Sequence, residues 1–412
     1  MGNVKVLDRM HSGTDKANRH RWIVLAVGVA AQASFSMGFQ GIPATGPLLQ
    51  EAYRLTLDQL GLVLGAIALG IAASEVVWGL LTDKLGDRFV LLTGLLSTSL
   101  IFALLAMFGA PRADSIPGVM LLGAGLLALG IFGGSINGSS GKAVMTWFQD
   151  GERGFAMSIR QTAVPVGGGI GAAILPWVAL HMGFISVFTT LAVTSLLAAG
   201  AAWTWLTPAP VQPAPKVSSN GPVSSTLRDW SIWRLFVASG LLTVPQFAVL
   251  TFSAIYLINE YKYGIAITSA VIFAVQVIGA IARVWSGCWT DKHKNRRTVV
   301  RAIAVLAAVA LLLLQLNIMT INVPLLSVVL LIAAGVFGSA WHGVAYTEIA
   351  VMAGASRVGT ALGIENTAVF AAAFATPALI PWLLRVCSWP QLWGGIAVLC
   401  LIAAALAPKS ES

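Results

Sequence analysis

Four ionisable residues stand inside apolar stretches of this chain: Glu75, Arg160, Arg283 and Glu365. A guanidinium presents a planar fork of N–H donors that fits a carboxylate or phosphate. A carboxyl in poorly hydrated surroundings can take up and release a proton. Together they could hold an anion at one point and a proton at another. The four form two matched pairs. Arg160 lies in MSIRQTAVPV and Glu365 in LGIENTAVFA, which share the frame I-x-x-T-A-V at an offset of 365 − 160 = 205. Glu75 precedes Asp83 by eight residues and Arg283 precedes Asp291 by eight, an offset of 283 − 75 = 208. Eight helical residues rise about 12 Å, which puts Glu75 and Arg283 near the middle of a roughly 30 Å hydrocarbon core. Arg160, seven residues past Arg153, lies at similar depth. Charges so placed are expensive, which makes each a functional candidate. They could also pair with one another as salt bridges between helices.

The elements that must position them are membrane helices. Of the 412 residues 57% are hydrophobic and 10% charged, against roughly 25% charged in a soluble domain. Apolar stretches of spanning length recur along the chain. They predict twelve spans, at about 22–44, 58–81, 88–110, 119–147, 153–180, 184–206, 231–258, 267–290, 299–319, 324–353, 358–385 and 389–407. The net charge of +9 would suit nucleic acid, but the basic residues gather in alternate loops. Lys5, Arg9, Lys16, Arg19 and Arg21 precede span 1, Lys84 and Arg88 follow span 2, and Lys292, Lys294, Arg296 and Arg297 follow span 8. This positive-inside pattern places both termini in the cytoplasm, in a cell inner membrane, with no nucleic-acid partner. Span 1 is too long for a signal-peptide core and is read as retained. Cys288, Cys387 and Cys400 suggest neither a disulfide framework nor a metal site, and no cofactor is expected.

The chain also divides in two. The Pro/Ser-rich stretch TPAPVQPAPKVSSNGPVSSTLRDW reads as a linker. GIFGGSING from Gly130 echoes GVFGSAWHG from Gly335, and Pro176-Trp177 echoes Pro381-Trp382, each at the offset of 205. The division is a tail at 1–21, a six-helix half at 22–206, a linker at 207–230, a second half at 231–407 and a tail at 408–412. Two halves that start on the same side are parallel repeats about an axis along the membrane normal.

The loop GLLTDKLGDR, its weaker copy GCWTDKHKNRR and the duplicated six-helix plan resemble the major facilitator superfamily over essentially the whole chain. The resemblance implies an all-α membrane protein of twelve transmembrane helices in two pseudo-symmetric halves, working by alternating access. It implies that Asp83 meets the start of span 11 and Asp291 the start of span 5, a carboxylate at a positive helix end. With Arg88 of the same loop, these are gating candidates. It further implies that span 2 packs beside span 11 and span 5 beside span 8. Arg160 and Arg283 would then flank one side of a central cavity, and Glu75 and Glu365 the other. ARVWSGCWTDK resembles the span-8 pattern of the oxalate–formate antiporter and monocarboxylate transporter groups, with Val284 replacing its proline. In those groups the arginine binds substrate carboxylate. GKAVMTWFQDGERGFAMSIRQT is similar to the span-4 to span-5 region of organic-anion and nitrate-type facilitators. Spans 1, 4, 7 and 10 line the cavity in this fold. That adds Gln40 (one face with Gln32 and Ser36), Asn137, Gln246, His342 and Tyr346 as substrate candidates, with Gln276 on the Arg283 face. Helix–helix hydrogen bonding explains any one of them equally well.

These features predict a secondary transporter, not an enzyme, that moves a small mono- or dicarboxylate by proton symport. Its expected partners are the anion, protons and the lipid bilayer, and it is expected to act as a monomer. Glu75 and Glu365, brought together at the 2/11 seam, would resist joint ionisation and so carry the proton. Lys142 and Glu348, near the cytoplasmic ends of spans 4 and 10, are expected to latch across the halves when the cavity opens outward. A proton-coupled drug or metabolite exporter is the main alternative, but AVPVGGGIGAAILP lacks the order of the exporter span-5 motif. A transport-inactive sensor on the same scaffold is expected to add a soluble domain or long tail, and these residues include neither.

Overall fold

A computed structural model describes residues 2–112, 114–207 and 230–408. Most of the linker, including Lys216 and Arg228, and residues 409–412 of the tail lie outside it. Among the described residues eleven helices are long and apolar enough to cross a membrane. One of them, Arg153–Trp205, has 53 residues and would be about 80 Å long if straight, far more than one crossing needs. It breaks at Gly183, whose φ of 75° and ψ of 175° are non-helical, so it is two spans and the total is 11 + 1 = 12. Only glycine adopts that backbone conformation cheaply. Gly183→Ala is therefore expected to cost about 1–3 kcal/mol. Thermal unfolding in detergent would show it, and an unchanged melting temperature would refute the account.

In chain order span 1 is Gly2–Ala44, span 2 Leu57–Leu85, span 3 Asp87–Leu104 with a wider turn at Leu105–Gly109, and span 4 Val119–Trp147. Spans 5 and 6 are the two parts of Arg153–Trp205. Span 7 is Trp230–Tyr261, span 8 Ile265–His293 and span 9 Arg296–Met319. Span 10 is Pro324–Ala340 resumed as His342–Ala353, span 11 is Val358–Leu383 and span 12 Trp389–Leu406. Residues 2–21, within the expected tail, have helical backbone continuous with span 1. A short helix, Gly46–Tyr53, follows span 1, and Tyr53 donates to the Gly109 carbonyl at 2.6 Å.

The hydrophobic interior largely divides with the chain. One large cluster is built from spans 1–6 with Phe370 of span 11, another wholly from spans 7–12, and a third joins Met145 and Met157 of the first half to residues of the second. Leucine, isoleucine, valine and tryptophan side chains are exposed around the outside, as lipid contact demands. Trp177, Trp203, Trp230 and Trp285 belong to that exposed set, whereas Trp341 and Trp393 are fully buried. The face carrying Asp83, Asp291 and the helix starts at Arg153 and Val358 is here termed the near face.

Candidate functional site

The halves meet along two seams, where small residues let backbones touch. Spans 2 and 8 each repeat a charge, a glycine and an aspartate at four-residue steps: Glu75-Gly79-Asp83 and Arg283-Gly287-Asp291. That spacing puts all three on one helix face. Opposite Gly79 lie Gly359 and Gly363 of span 11, and a Cβ at Gly79 would stand 2.4 Å from the Gly359 carbonyl oxygen. Opposite Gly287 lie Gly154 and Ser158 of span 5, with a Cβ at Gly287 2.4 Å from the Gly154 carbonyl oxygen. Gly167 and Gly171, on the Arg160 face, pack on Ala33 and Met37 of span 1.

The aspartates finish these seams. Asp83 accepts the Gly359 and Thr360 backbone N–H groups at 2.8 and 2.7 Å, and the Thr360 hydroxyl at 2.6 Å. Asp291 accepts the Gly154 and Phe155 N–H groups at 3.0 and 2.8 Å. Each carboxylate thus serves the orphan donors at the start of a helix in the other half. The near face is closed by these contacts. The His342–Ala353 part of span 10 packs on span 5, whereas span 7 and the Pro324–Ala340 part make at most slight contact with the first half, and the cavity described below lies between them. Asp83→Ala or Asp291→Ala is expected to open the near face. The readout is faster labelling of a cysteine introduced at Ala361, which is 0% exposed, in a background lacking the native cysteines. Unchanged labelling would refute this role.

Two gating expectations are corrected. Lys142 and Glu348 do not pair, although the near face is closed. Lys142 bonds Asp83 at 2.9 Å and the Thr82 carbonyl at 3.0 Å, and Glu348 bonds Arg297 at 2.6 Å. Each charge finds an opposite partner in its own half, at the end of an adjacent helix. Arg88 lies away from the seams, donating to the Trp203 carbonyl at 2.6 Å and stacking over that ring 5.4 Å from its centroid. Its attachment is to span 6, on the outer surface. Among the described residues, side-chain ion pairs across the halves join Asp150 to Arg296 at 3.1 Å and to Lys294 at 3.5 Å. The Arg296 hydrogen bond holds the Asp150 carboxyl below its ordinary range.

All four intramembrane charges are buried, with 0–2% exposure, and among the described residues no salt bridge joins any of them to another. Their partners are neutral. Arg160 donates to Gln32 Oε1 at 2.8 Å, Ser140 Oγ at 2.7 Å, the Asn137 carbonyl at 2.6 Å and Gln161 Oε1 at 3.1 Å. Arg283 donates through Nε to the Ser339 carbonyl and hydroxyl at 2.9 and 3.0 Å, and through Nη1 to the Gln161 carbonyl at 3.0 Å. Its Nη2 finds no acceptor among the described residues. Glu75 accepts from Asn137 Nδ2 at 2.5 Å and Asn366 Nδ2 at 3.2 Å. Glu365 accepts from the Ser239 hydroxyl, and its Oε2 is buried without a partner.

The arrangement follows the repeat. Gln161 and Asn366 are mates, since 366 − 161 = 205. Each crosses the seam to the span-2 or span-8 charge: Asn366 to Glu75 and Gln161 to Arg283. The charge one residue earlier turns inward, Arg160 to Gln32 of span 1 and Glu365 to Ser239 of span 7. The expected carboxyl pair at the 2/11 seam is therefore not formed. Consecutive helical residues point about 100° apart, and it is Asn366, not Glu365, that faces Glu75. Gln161, Asn366, Ser140, Ser239 and Ser339 were not among the sequence candidates. The signal for the first two was available, as IRQ and IEN hold matched polar residues directly after the matched charges.

Arg283 is fixed where span 10 is interrupted at Trp341. Its Nε takes the Ser339 carbonyl, Ser286 takes the Ala340 carbonyl at 2.8 Å, and His342 Nδ1 lies 3.0 Å from the Ser339 carbonyl. Side chains of span 8 thus engage carbonyls at the break, the condition on which membrane helices tolerate one. His342 stacks on Trp341 and Tyr346, and Tyr346 donates to Asn366 Oδ1.

A cavity of about 590 Å³, open mouth included, lies between the halves. Arg160, Arg283, Gln40, Asn137, Gln246, Gln276, His342 and Tyr346 line it, as do Gln161 and Asn366. Glu75 and Glu365 do not, nor does any other carboxylate. The charge of the cavity is cationic, and the open end of the Arg283 guanidinium is its unengaged charged group. Among the described residues no cluster of His, Cys, Asp and Glu suited to a metal is found.

A family profile described as Major Facilitator Superfamily matches residues 28–319 and 268–410. An uncharacterized MFS-type transporter of Mycobacterium tuberculosis (strain ATCC 25618 / H37Rv) is 31% identical over 391 residues, 94% of this chain and 85% of the relative. A probable sulfoacetate transporter of Cupriavidus necator is 30% identical over 155 residues, 38% of this chain and 34% of that protein. The crystal structure of a Major Facilitator Superfamily transporter, FucP, in the outward conformation has the same fold. It superposes with a TM-score of 0.73 at 15% identity, covering 94% of this chain and 98% of that one.

Proposed function

The chain belongs to the Major Facilitator Superfamily, and from that premise we propose that it carries a small organic anion, coupled to protons. It is a transporter, not an enzyme. One observation carries the anion reading: the cavity wall holds two buried guanidinium groups and no carboxylate. An anion there gains charge-assisted hydrogen bonds, while a cation would meet like charge without a counter-ion. The sulfoacetate named for one relative agrees in class.

Proton coupling is read from Glu75 and Glu365, buried carboxyls bound only to neutral groups and outside the cavity lining. An anion loaded beside Arg283 raises proton affinity at the carboxyls, and by linkage the proton raises anion affinity equally. The basic loops make the near face cytoplasmic, so the state described is outward-facing. The protein works in this reading as a monomer in the cell inner membrane.

The test is thermal unfolding of purified protein with mono- and dicarboxylates, neutral sugars and cationic drugs. A ligand at 100 times its Kd stabilises the folded state by about 2.7 kcal/mol. Carboxylates are expected to raise the melting temperature and cations to leave it unchanged. Stabilisation by cations alone would overturn the reading.

A further inference from the structure

Two amides in the cavity wall are nine-tenths buried and incompletely satisfied. Gln246 is 7% exposed and Gln161 3%. Gln246 Oε1 and Gln161 Nε2 are buried and have no hydrogen-bond partner, although both residues line the cavity. A buried polar atom without a partner is costly, and a ligand that supplies one recovers that cost. The two are placed to act on one molecule. Gln161 lies between the arginines, its side chain on Arg160 and its carbonyl on Arg283, so its free N–H adds a donor beside the anion site. Gln246 lies at the level of Arg283. Its backbone packs on Gly338, where a Cβ would stand 3.0 Å from Gln246 N, and the next residue, Ser339, holds Arg283.

We propose that the substrate is a hydroxy monocarboxylate with an apolar end: its carboxylate on Arg283 and Gln161, its hydroxyl donating to Gln246 Oε1. This rests on the organic-anion reading and narrows it. Charge selects the hydroxyl over an ammonium. A donor on the substrate near its carboxylate stands close to two guanidinium groups, and no carboxylate lines the cavity to receive a cation. Donor availability selects one carboxylate over two, because the Arg160 guanidinium already donates to four neutral partners. The apolar end follows from the rest of the wall, where Phe39, Phe247, Leu250 and Phe370 contribute, with Phe39 and Phe370 edge to face at 5.5 Å across the halves.

The experiment compares three acids of one skeleton, 3-phenyllactate, 3-phenylpropanoate and phenylalanine, by equilibrium dialysis on the purified full chain. Phenyllactate is expected to bind about tenfold tighter than phenylpropanoate, the size of one added neutral hydrogen bond, and phenylalanine more weakly than either. Gln246→Leu should bring the first ratio to near one. Gln246→Asn, which keeps an amide but shortens its reach, should do the same in a variant closer to native packing. Equal affinity of the wild type for phenyllactate and phenylpropanoate overturns the hydroxyl assignment and leaves the organic-anion reading standing, as does a ratio that survives both variants. Tighter binding of phenylalanine overturns the charge argument. Failure of all three acids, with binding of a cationic or neutral solute instead, overturns the organic-anion reading itself.

Discussion

Arg283→Lys is expected to weaken carboxylate binding by about a hundredfold or more while leaving the net charge of the cavity unchanged. The guanidinium does two things at once here. Nε and Nη1 fasten it to Ser339 and Gln161, and Nη2 remains for a ligand. A lysine ammonium is a point donor that cannot hold both helices and still offer a fork. Loss of charge-assisted hydrogen bonds of roughly 1.5–3 kcal/mol each corresponds to a hundredfold when one or two go, at about 1.4 kcal/mol per tenfold. Arg160→Lys serves as the contrast. Arg160 is engaged with Gln32, Ser140, Asn137 and Gln161, so its loss should lower the melting temperature more than that of Arg283 does. Calorimetric titration with a carboxylate, beside thermal unfolding of both variants, separates the roles. An Arg283→Lys protein with wild-type affinity would remove Arg283 from the site.

The second large effect concerns energy coupling. Glu365→Gln is expected to abolish pH-driven accumulation in proteoliposomes while counterflow exchange continues. One proton moving down a gradient of one pH unit supplies about 1.4 kcal/mol, a tenfold accumulation ratio, and that factor is what should vanish. Glu365 can lose its charge-bearing capacity with little local disturbance, since only the Ser239 hydroxyl bonds it. Glu75→Gln should also uncouple but reduce exchange as well. Its oxygens receive N–H groups from two asparagines, and an amide would turn a donor toward one of them. Turning Asn366 to compensate would break its bond from Tyr346. Full pH-driven accumulation in both variants would place the proton site elsewhere, with His342 the next residue to substitute.

The twelve spans and the two seams are legible in the residue string because they depend on long-range averages, the length of apolar runs and the recurrence of a frame. Which side chain faces which is harder. At the 2/11 seam the contest lies between Glu365 and Asn366, adjacent residues separated by about 100° of helix rotation. The sequence carries both and does not state the rotation. The structure gives the seam to Asn366 and turns Glu365 toward span 7. The Lys142 and Glu348 expectation failed for a related reason. It matched charges by depth alone, and depth does not reveal that Asp83 and Arg297 are nearer. Gly79, Gly154, Gly287 and Gly359 point the other way. Their recurrence beside the matched charges marks the close contacts that the structure contains.

The reciprocal capping by Asp83 and Asp291 means that neither half is complete without the other in this arrangement. Span 11 begins on an acid from the first half, and span 5 on an acid from the second. A helix start that loses such a cap gives up about 1 kcal/mol, so parting the near face gives up about 2 kcal/mol across both seams. At equilibrium that alone sets a resting bias of roughly thirty to one. A solute that drives the cycle must therefore favour the other arrangement by a comparable difference in affinity, however tightly it binds. Symmetry divides the bias into two equal shares, so one lost cap should leave about five to one, and two lost caps a molecule with no preference from this source.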